Sequence, residues 1–153
     1  MIDRRTALTV LGALVAFPSV ARASGDRFVL TDAQWRARLS PEAYDVLRHA
    51  GTEMPFSSPL DHEKRAGTYF CAGCALALYS SKTKYDSGTG WPSFWAPLPN
   101  AVETSSDTSL DMDRTEVHCR RCAGHVGHVF DDGPPPTGKR YCMDGVALRF
   151  KPA

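Results

Sequence analysis

The stretch RTEVHCRRCAGHVGHVF, residues 114–130, contains the two features that decide the fold. Residues 115–117 are a short run of the kind that forms an antiparallel strand. Cys119-x-x-Cys122 follows it, and this spacing makes a turn that can present two thiolates to one metal ion. The stretch therefore predicts a β-rich domain held together by a metal.

A second turn of the same spacing, Cys71-x-x-Cys74, ends 45 positions before Cys119. Two such turns complete a tetrahedral four-cysteine shell with Zn–S distances of ~2.3 Å, so we expect one structural Zn²⁺ per chain.

Two alternatives to a metal site remain open at this point. An oxidising compartment would allow each Cys-x-x-Cys to form a disulfide, and a single motif can be a thioredoxin-like redox pair. A shared metal is favoured because it ties together distant segments, whereas a bridge within one motif closes a very small loop. A redox pair would leave the second motif without a role.

Two short helices are predicted near the N-terminus. Thr31 or Asp32 can cap a helix that runs through residues 35–39, and Ser40-Pro41 fits the cap and first residue of a second helix. Gly51 should end the second helix. Its apolar face would comprise Tyr44, Val46, Leu47 and Ala50.

From Gly67 onward, short apolar or alternating runs lie between clusters of turn residues, which predicts antiparallel strands. The strands are expected at residues 68–70, 76–79, 115–117 and 146–150. Residues 105–114 and 133–136 are predicted to be surface loops.

The first 23 residues have the organisation of an export signal. Arg4 and Arg5 precede a mildly apolar stretch over residues 7–20, and Ala21-Arg22-Ala23 is an A-x-A cleavage site. The paired arginines favour the twin-arginine route into the periplasm, with general secretion as the alternative. We therefore expect a signal peptide at residues 1–23, a mature domain at residues 24–153, and no membrane anchor after cleavage, because the apolar stretch is shorter than the ~20 residues of a membrane span.

Size and charge limit the classes of partner. The 153 residues, 42% of them hydrophobic, suffice for one compact domain, and we expect a monomer. The formal net charge of +1 becomes −1 after loss of three arginines and one aspartate with the signal peptide. That balance argues against a nucleic-acid partner.

Cys142 is the fifth cysteine and needs an explanation of its own. Burial as a small apolar residue is the commonest fate of a free cysteine. Arg140 lies two positions away, however, and on a strand it would share a face with Cys142. A neighbouring guanidinium favours the thiolate, so the sequence predicts a nucleophile.

The chain resembles the methionine-R-sulfoxide reductase family from about Thr31 to Phe150, through an ordered set of short motifs. They are Gly51-Thr52-Glu53, Cys71-Ala72-Gly73-Cys74, Asp86-Ser87-Gly88-Thr89-Gly90-Trp91-Pro92-Ser93-Phe94, Arg114-Thr115-Glu116-Val117, Cys119-Arg120-Arg121-Cys122, Gly127-His128-Val129-Phe130 and Arg140-Tyr141-Cys142. The resemblance implies a mainly β (α+β) fold of two antiparallel β-sheets with short N-terminal helices and a structural zinc site of four cysteines.

The resemblance also implies a reaction. Cys142 would attack the sulfur of a methionine sulfoxide, release methionine and become a sulfenic acid. His125 and His128 are the candidate proton donors, since imidazole titrates near neutral pH. Asp132 would orient one of them, directly or through water. Each of these three could equally be an ordinary surface, loop or metal-adjacent residue.

His125 and His128 pose a geometric problem, because residues three apart on a regular strand face opposite sides. Gly124 and Gly127 suggest the solution, since glycines within strands often mark a bulge that re-aims a side chain. We therefore predict an irregular strand at these histidines.

Trp91 is the expected apolar wall for the substrate methyl group, because sulfur packs well on aromatic rings. Phe130 is a second candidate. Asp144 stands where the family usually has asparagine and is expected at the substrate site. Its carboxylate would oppose thiolate formation unless it is paired or protonated.

Thr89 departs from the family in another way, since many members have a resolving cysteine there. With four cysteines on zinc and Cys142 reacting, an external thiol must recycle the enzyme. The expected partners are oxidised protein substrates and a thioredoxin-like or periplasmic thiol donor. A zinc-scaffold module that binds a ligand or peptide without catalysis is the alternative function.

Overall fold

The structure is a computed structural model that describes residues 27–153. The predicted signal peptide at residues 1–23 lies outside the described residues. Among those described, no helix has the length and apolar character that a membrane crossing requires.

Helix α1 (Asp32–Arg38) begins at a capping box. The Thr31 hydroxyl accepts from the Gln34 amide, and the Gln34 side chain accepts from the Thr31 amide at 2.9 Å. Each partner satisfies a donor that the first helical turn leaves free. The predicted cap at Thr31 is confirmed.

Helix α2 (Pro41–His49) begins with Ser40 as cap and Pro41 as first residue, as predicted. The helix ends at His49, one residue before the last residue of its predicted apolar face, because Ala50 takes a left-handed conformation with φ 54°. Ala50 is therefore an exposed helix cap, and its predicted place in the apolar face is wrong. Tyr44, Val46 and Leu47 are buried as expected.

Across residues 27–153, nine strands form two antiparallel sheets, which confirms the predicted fold class. The strands are β1 (Gly67–Cys71), β2 (Ala77–Ser80), β3 (Lys84–Tyr85), β4 (Ser93–Phe94), β5 (Val102–Asp107), β6 (Arg114–Cys119), β7 (His125–Phe130), β8 (Arg140–Met143) and β9 (Leu148–Pro152). The small sheet has the order β2-β1-β9, and the large sheet the order β3-β4-β8-β7-β6-β5.

An aromatic cluster joins the two sheets. Phe94 on β4 is fully buried, and its ring stacks on Tyr79 of β2 with centroids 4.4 Å apart. Tyr69 of β1 meets Phe94 edge-on at 4.9 Å. These ring contacts fix β4, which is only two residues long, against the small sheet.

The predicted loop over residues 105–114 is wrong in its first part. Ser105, Ser106 and Asp107 belong to β5 and pair with β6. Strand β5 lies at the edge of the large sheet, and residues 103–106 are exposed. An edge strand of this kind has no apolar alternation to reveal it. Residues 133–136 form no strand or helix, as predicted.

Strand β7 is irregular at the predicted place. Val117 of β6 faces Gly127, and the next residue, His118, faces His125, so Val126 is an extra residue on β7. Gly127 has φ 143°, and a Cβ there would overlap the Cys142 carbonyl oxygen. The bulge turns both β7 histidines to one face, with their ring centroids 5.1 Å apart.

Strand register then builds one row of side chains across the large sheet, because residues directly opposite each other share a face. In strand order the row is Tyr85, Ser93, Cys142, His128, Glu116 and Ser105. Cys142 lies at the middle of this row, between Ser93 and His128.

Candidate active site

Cys142 lies in an open pocket on the face of the large sheet. The pocket is lined by Thr52, Trp91, Arg114, Gly127, His128, Phe130, Cys142 and Asp144. The structure thus brings five of the predicted site residues to one pocket, in which mostly apolar walls surround a thiol, an imidazole and a carboxyl group.

The resting state of Cys142 differs from the sequence expectation. Burial raises the pKa of this thiol, and the Thr89 hydroxyl and the Arg140 charge lower it by less. The Asp144 charge acts in the same direction as burial. Arg140 acts on the thiol as expected, but the desolvation of Cys142 outweighs the effect of the Arg140 charge, so Cys142 rests as a protonated thiol.

Arg140 is held by Asp132 and Phe130. Its Nε and Nη2 donate to the two carboxylate oxygens of Asp132, both at 2.8 Å, and its guanidinium lies 4.3 Å from the Phe130 ring centroid. The pKa of Asp132 is lowered by this hydrogen-bonded pair. Of the two routes expected for Asp132, a direct contact with a histidine is not formed, because the carboxylate pairs with the planar donors of Arg140. A link through water stays a prediction.

His128 pairs instead with Asp107. Its Nε2 lies 2.7 Å from Asp107 Oδ2, and Arg114 Nη2 donates to the same oxygen at 2.7 Å. Hydrogen bonds from Ser109 and His128 hold the pKa of Asp107 well below its usual range. A fixed carboxylate at Nε2 sets the ring orientation of His128 within the pocket.

His125 pairs with Glu116 and is almost completely buried. Its Nδ1 lies 2.8 Å from Glu116 Oε1, while Ser105 donates to Glu116 Oε2 at 2.9 Å. Burial lowers the pKa of His125, and Glu116 opposes this only partly. A neutral ring that donates through Nδ1 leaves Nε2 as an acceptor, and this buried nitrogen has no hydrogen-bond partner among the described residues.

Asp144 faces that nitrogen. Its Oδ2 lies 3.7 Å from His125 Nε2, and its Oδ1 accepts from the Glu53 amide at 2.9 Å. Burial raises the pKa of Asp144 to about 7. Asp144 is thus a largely protonated acid below neutral pH. A protonated Asp144 does not oppose ionisation of Cys142, as the sequence analysis required.

Trp91 is one of the residues that line the pocket, and its contact with the substrate methyl group stays a prediction. Its indole Nε1 donates to the Glu53 carbonyl at 3.2 Å, and the preceding residue, Gly90, accepts from the Phe56 amide at 2.7 Å. The Glu53 carboxylate in turn accepts from the amides of Gly145 and Val146. Residues 53–56 therefore connect the tryptophan wall to the segment that follows Cys142.

The four cysteines of the two Cys-x-x-Cys turns form a buried cluster. Their sulfur atoms all lie within 4.8 Å of one another, with Cys71–Cys122 at 3.7 Å and Cys74–Cys119 at 3.5 Å. A tetrahedral ion with ~2.3 Å bonds requires sulfur separations of about 3.8 Å. All five cysteines are free, so the structure does not contain the two disulfides that were considered as an alternative to a metal. The cluster fits a metal ion.

Three acidic residues of the site received no role from the sequence: Glu53, Asp107 and Glu116. Glu53 and Glu116 lie inside the quoted motifs, but their partners are 92 and 9 positions away. Asp107 lay in a predicted loop. Only the tertiary structure shows that Asp107 and Glu116 meet the histidines and that Glu53 meets the segment after Cys142.

The pocket combines a thiol, an imidazole and a carboxyl group among apolar walls, and a second carboxylate-held imidazole, that of His125, lies 5.1 Å from the His128 ring. A thiol can attack a soft electrophile, and adjacent acids can protonate the group that leaves.

Comparison with known proteins identifies close relatives. Residues 39–152 match the SelR domain family. Peptide methionine sulfoxide reductase MsrB of Pseudomonas putida (strain W619) is 58% identical over 120 residues, which cover 78% of this chain and 90% of that protein. The proteins of the same name from Bradyrhizobium diazoefficiens and Methanosarcina barkeri are 50% and 52% identical, over 86% and 79% of this chain and 95% and 86% of their own lengths.

Proposed function

Because the chain belongs to the methionine-R-sulfoxide reductase family, and is a peptide-methionine (R)-S-oxide reductase, we propose that Cys142 carries the reaction with the pocket residues in the roles that follow. The observation that carries this assignment is the position of Cys142. It lies opposite His128 and lines the same pocket as Trp91. A module that only binds a ligand would need neither the thiol nor the carboxylate-held histidines.

In the first step the Cys142 sulfur attacks the sulfoxide sulfur, and the sulfoxide oxygen takes up a proton. The oxygen then passes as a hydroxyl group from the substrate sulfur to the Cys142 sulfur, the bond between the two sulfur atoms breaks, and the thioether leaves as methionine. One thiol and one sulfoxide thus become one sulfenic acid and one thioether. His128 lines the pocket and is the proton donor, and the neutral Asp144, which also lines the pocket, brings no charge that would oppose the ionised sulfur. Trp91 receives the substrate methyl group.

Arg140 acts on the thiol by its charge. It favours the ionised sulfur that attacks, and Asp132 holds the guanidinium in place from the solvent side. His125 orients Asp144 through its free Nε2.

Recycling needs a thiol from another molecule. An external thiol condenses with the sulfenic acid to give a mixed disulfide and water, and a second thiol releases Cys142. All four other cysteines lie in the buried cluster, and the side chain of Thr89 places a hydroxyl, not a thiol, 3.8 Å from the Cys142 sulfur. The donor we propose is a thioredoxin-like protein or its periplasmic equivalent, and the substrate is oxidised protein.

The test uses the two separated epimers of a methionine sulfoxide peptide with a dithiol as reductant. We expect turnover of the R epimer by the wild type and none by Cys142→Ser. Equal turnover by both proteins would contradict the role of Cys142. Mass spectrometry of substrate-treated enzyme without reductant should show a gain of one oxygen on Cys142.

We further propose that the four-cysteine cluster holds one structural Zn²⁺. It would link the turn after β1 to the turn between β6 and β7, and so stabilise the start of the strand that carries both histidines. The expected measurement is one zinc per chain by native mass spectrometry or elemental analysis.

The site of action we propose is the periplasm, reached by the twin-arginine route. The supporting features are the paired arginines, the short apolar stretch and the cleavage motif at residues 21–23. Cell fractionation with N-terminal sequencing should give a mature protein that begins at Ser24. An Arg4→Lys, Arg5→Lys double variant that is exported normally would favour general secretion instead.

A further inference from the structure

Three hydroxyl groups connect the Cys142 sulfur to a backbone carbonyl. Thr89 Oγ1 lies 3.8 Å from Cys142 Sγ and 2.8 Å from Ser87 Oγ. Ser87 Oγ lies 2.7 Å from Ser93 Oγ, which donates to the Trp91 carbonyl at 3.0 Å. We call Thr89, Ser87 and Ser93 the hydroxyl chain.

The hydroxyl chain has a direction, because each hydroxyl carries one proton. The Trp91 carbonyl can only accept, so the Ser93 proton points to it. Ser93 must then accept from Ser87, and Ser87 must accept from Thr89. Because the Thr89 hydroxyl donates its proton to Ser87, it can only accept a hydrogen bond from the Cys142 thiol. This arrangement suits a protonated Cys142.

The opposite direction suits an ionised Cys142. Thr89 then donates to the sulfur, Ser87 donates to Thr89, and Ser93 donates to Ser87. The hydrogen bond from Ser93 to the Trp91 carbonyl is lost in exchange. No proton passes along the hydroxyl chain, because the carbonyl at its end cannot hold one; only the three hydroxyls rotate.

We propose that the hydroxyl chain is a two-state hydrogen-bond switch, in which the Trp91 carbonyl holds Cys142 protonated at rest and reversal of the chain stabilises the ionised sulfur. Thr89, Ser87 and Ser93 are therefore positioning residues for the reaction proposed above, on which this inference rests.

Other groups also face the Cys142 sulfur. Arg140 on the same strand favours ionisation, and Asp144 opposes it once it is charged. His128 lies opposite on β7. Tyr85 on β3 is close enough for its ionisation to respond to Cys142. The buried setting raises the pKa of the thiol, as expected for the protonated direction of the switch.

A protonated resting thiol is useful to an enzyme with no second cysteine at the site. The thiolate is the form that reacts with peroxides, and a sulfenic acid without a partner thiol can oxidise further and irreversibly. The switch limits this side reaction between turnovers.

The test is the pH dependence of Cys142 alkylation by iodoacetamide, measured on the Cys142 peptide by mass spectrometry. Thr89→Val removes the only hydroxyl of the chain that can donate to the ionised sulfur, so the pKa of Cys142 should rise by about one unit. Ser93→Ala removes the link to the Trp91 carbonyl and frees Ser87 to donate to Thr89, so this pKa should fall by a similar amount. Opposite signs are the signature of the switch.

Two further variants complete the design. Ser87→Ala should also lower the pKa of Cys142, and it serves in place of Ser93→Ala if that fully buried position does not tolerate change. Thr83→Val is the matched control: its hydroxyl bonds the carbonyls of Ser80 and Ala96 and lies outside the hydroxyl chain.

A shift of the same sign in Thr89→Val and Ser93→Ala, or no shift in either, would overturn the proposal. A shift in Thr83→Val as large as the others would do the same. Alkylation reports on the thiol without turnover, so this result stands apart from the sulfoxide assay, whose failure would count against the proposed reaction only.

Discussion

Asp144 Oδ2 lies 3.7 Å from His125 Nε2, and both groups are almost completely buried. Because the Nδ1 of His125 is bonded to Glu116, the nitrogen that faces Asp144 is an acceptor. A protonated carboxyl group can donate to it, whereas a carboxylate cannot. The state of Asp144 therefore decides whether these two residues attract one another.

Asp144→Asn should change the pH dependence of activity. With a pKa of about 7, Asp144 ionises as the pH passes neutrality and then opposes ionisation of Cys142. We expect similar activity of the two proteins below about pH 6, and higher activity of the variant above about pH 7, because only the wild type gains a charge there. Parallel kcat/KM profiles across this range would contradict this role.

The same substitution should alter stability with pH. The folded protein holds the Asp144 proton up to about pH 7, whereas the unfolded chain releases it near the ordinary value of 3.8. The folded state binds more protons than the unfolded chain in this pH window. This contribution to the free energy of unfolding is therefore complete below the pKa of the unfolded chain and is lost as the pH rises to the pKa of the folded protein. Asp144→Asn should lack this loss, which is on the order of a few kcal/mol and falls between about pH 4 and about pH 7. Urea titrations near pH 4 and above pH 7 measure it.

Glu116→Gln should disturb the tautomer of His125. The carboxylate fixes the proton on Nδ1, whereas an amide can accept or donate there. We expect ¹⁵N NMR to show the His125 proton on Nδ1 in the wild type and on both nitrogens in the variant, with about a tenfold loss of kcat/KM, since a charged hydrogen bond contributes ~1.5–3 kcal/mol. Glu103→Gln, on exposed β5, is the control and should change neither the His125 tautomer nor kcat/KM.

Thr89→Cys should convert the recycling route. The Thr89 hydroxyl lies 3.8 Å from the Cys142 sulfur, so a thiol there is within reach of a sulfenic acid. After one turnover without reductant, we expect the variant to lose two hydrogens by mass through an internal disulfide. The wild type should gain one oxygen instead. A stable sulfenic acid in the variant would show that the two positions cannot be bridged.

Gly127→Ala should disrupt the bulge that aligns the two histidines. Its φ of 143° and the overlap of a Cβ with the Cys142 carbonyl both oppose a side chain. Strain alone costs roughly 1–3 kcal/mol, and activity should fall with it. Gly138→Ala is the matched control, since Gly138 has φ 70° but nothing within 4 Å of its Cβ position. Equal thermal shifts for the two variants would argue against the overlap.

Cys119→Ser should weaken the proposed zinc site. The cluster holds turns from two sheets together, and its loss should lower the melting temperature and abolish one-to-one zinc content. Cys142→Ser is the control and should retain zinc. Unchanged melting temperatures in the serine variants of all four cluster cysteines would remove the structural role.

Several elements could be predicted because their signals are local. The Thr31 and Ser40 caps depend on residues within three positions, and both helices begin where these caps place them. The β7 bulge was predictable because Gly127 stands between two histidines that a regular strand would separate. Strand β5 was missed because its polar residues 103–106 are exposed and give no apolar pattern. They belong to the sheet only through their backbone pairing with β6.

The charge environment of the site could not be predicted from neighbours in the sequence. Arg140 lies two residues from Cys142 as expected, but the protonation of the thiol depends on burial by segments around residues 52, 91 and 128. Asp132 was expected near a histidine from the family resemblance, yet the register of β7 and β8 puts it beside Arg140 instead.

The sequence by itself determined the family, the four-cysteine cluster and the choice of Cys142 as the proposed nucleophile, because each rests on residue type and short spacing along the chain. Only the tertiary structure decided which carboxylate holds each histidine, that Asp144 is largely neutral below neutral pH, and that three hydroxyls lead from Cys142 to the Trp91 carbonyl. These properties arise from contacts between distant strands and from desolvation, and both exist only once the two sheets have packed.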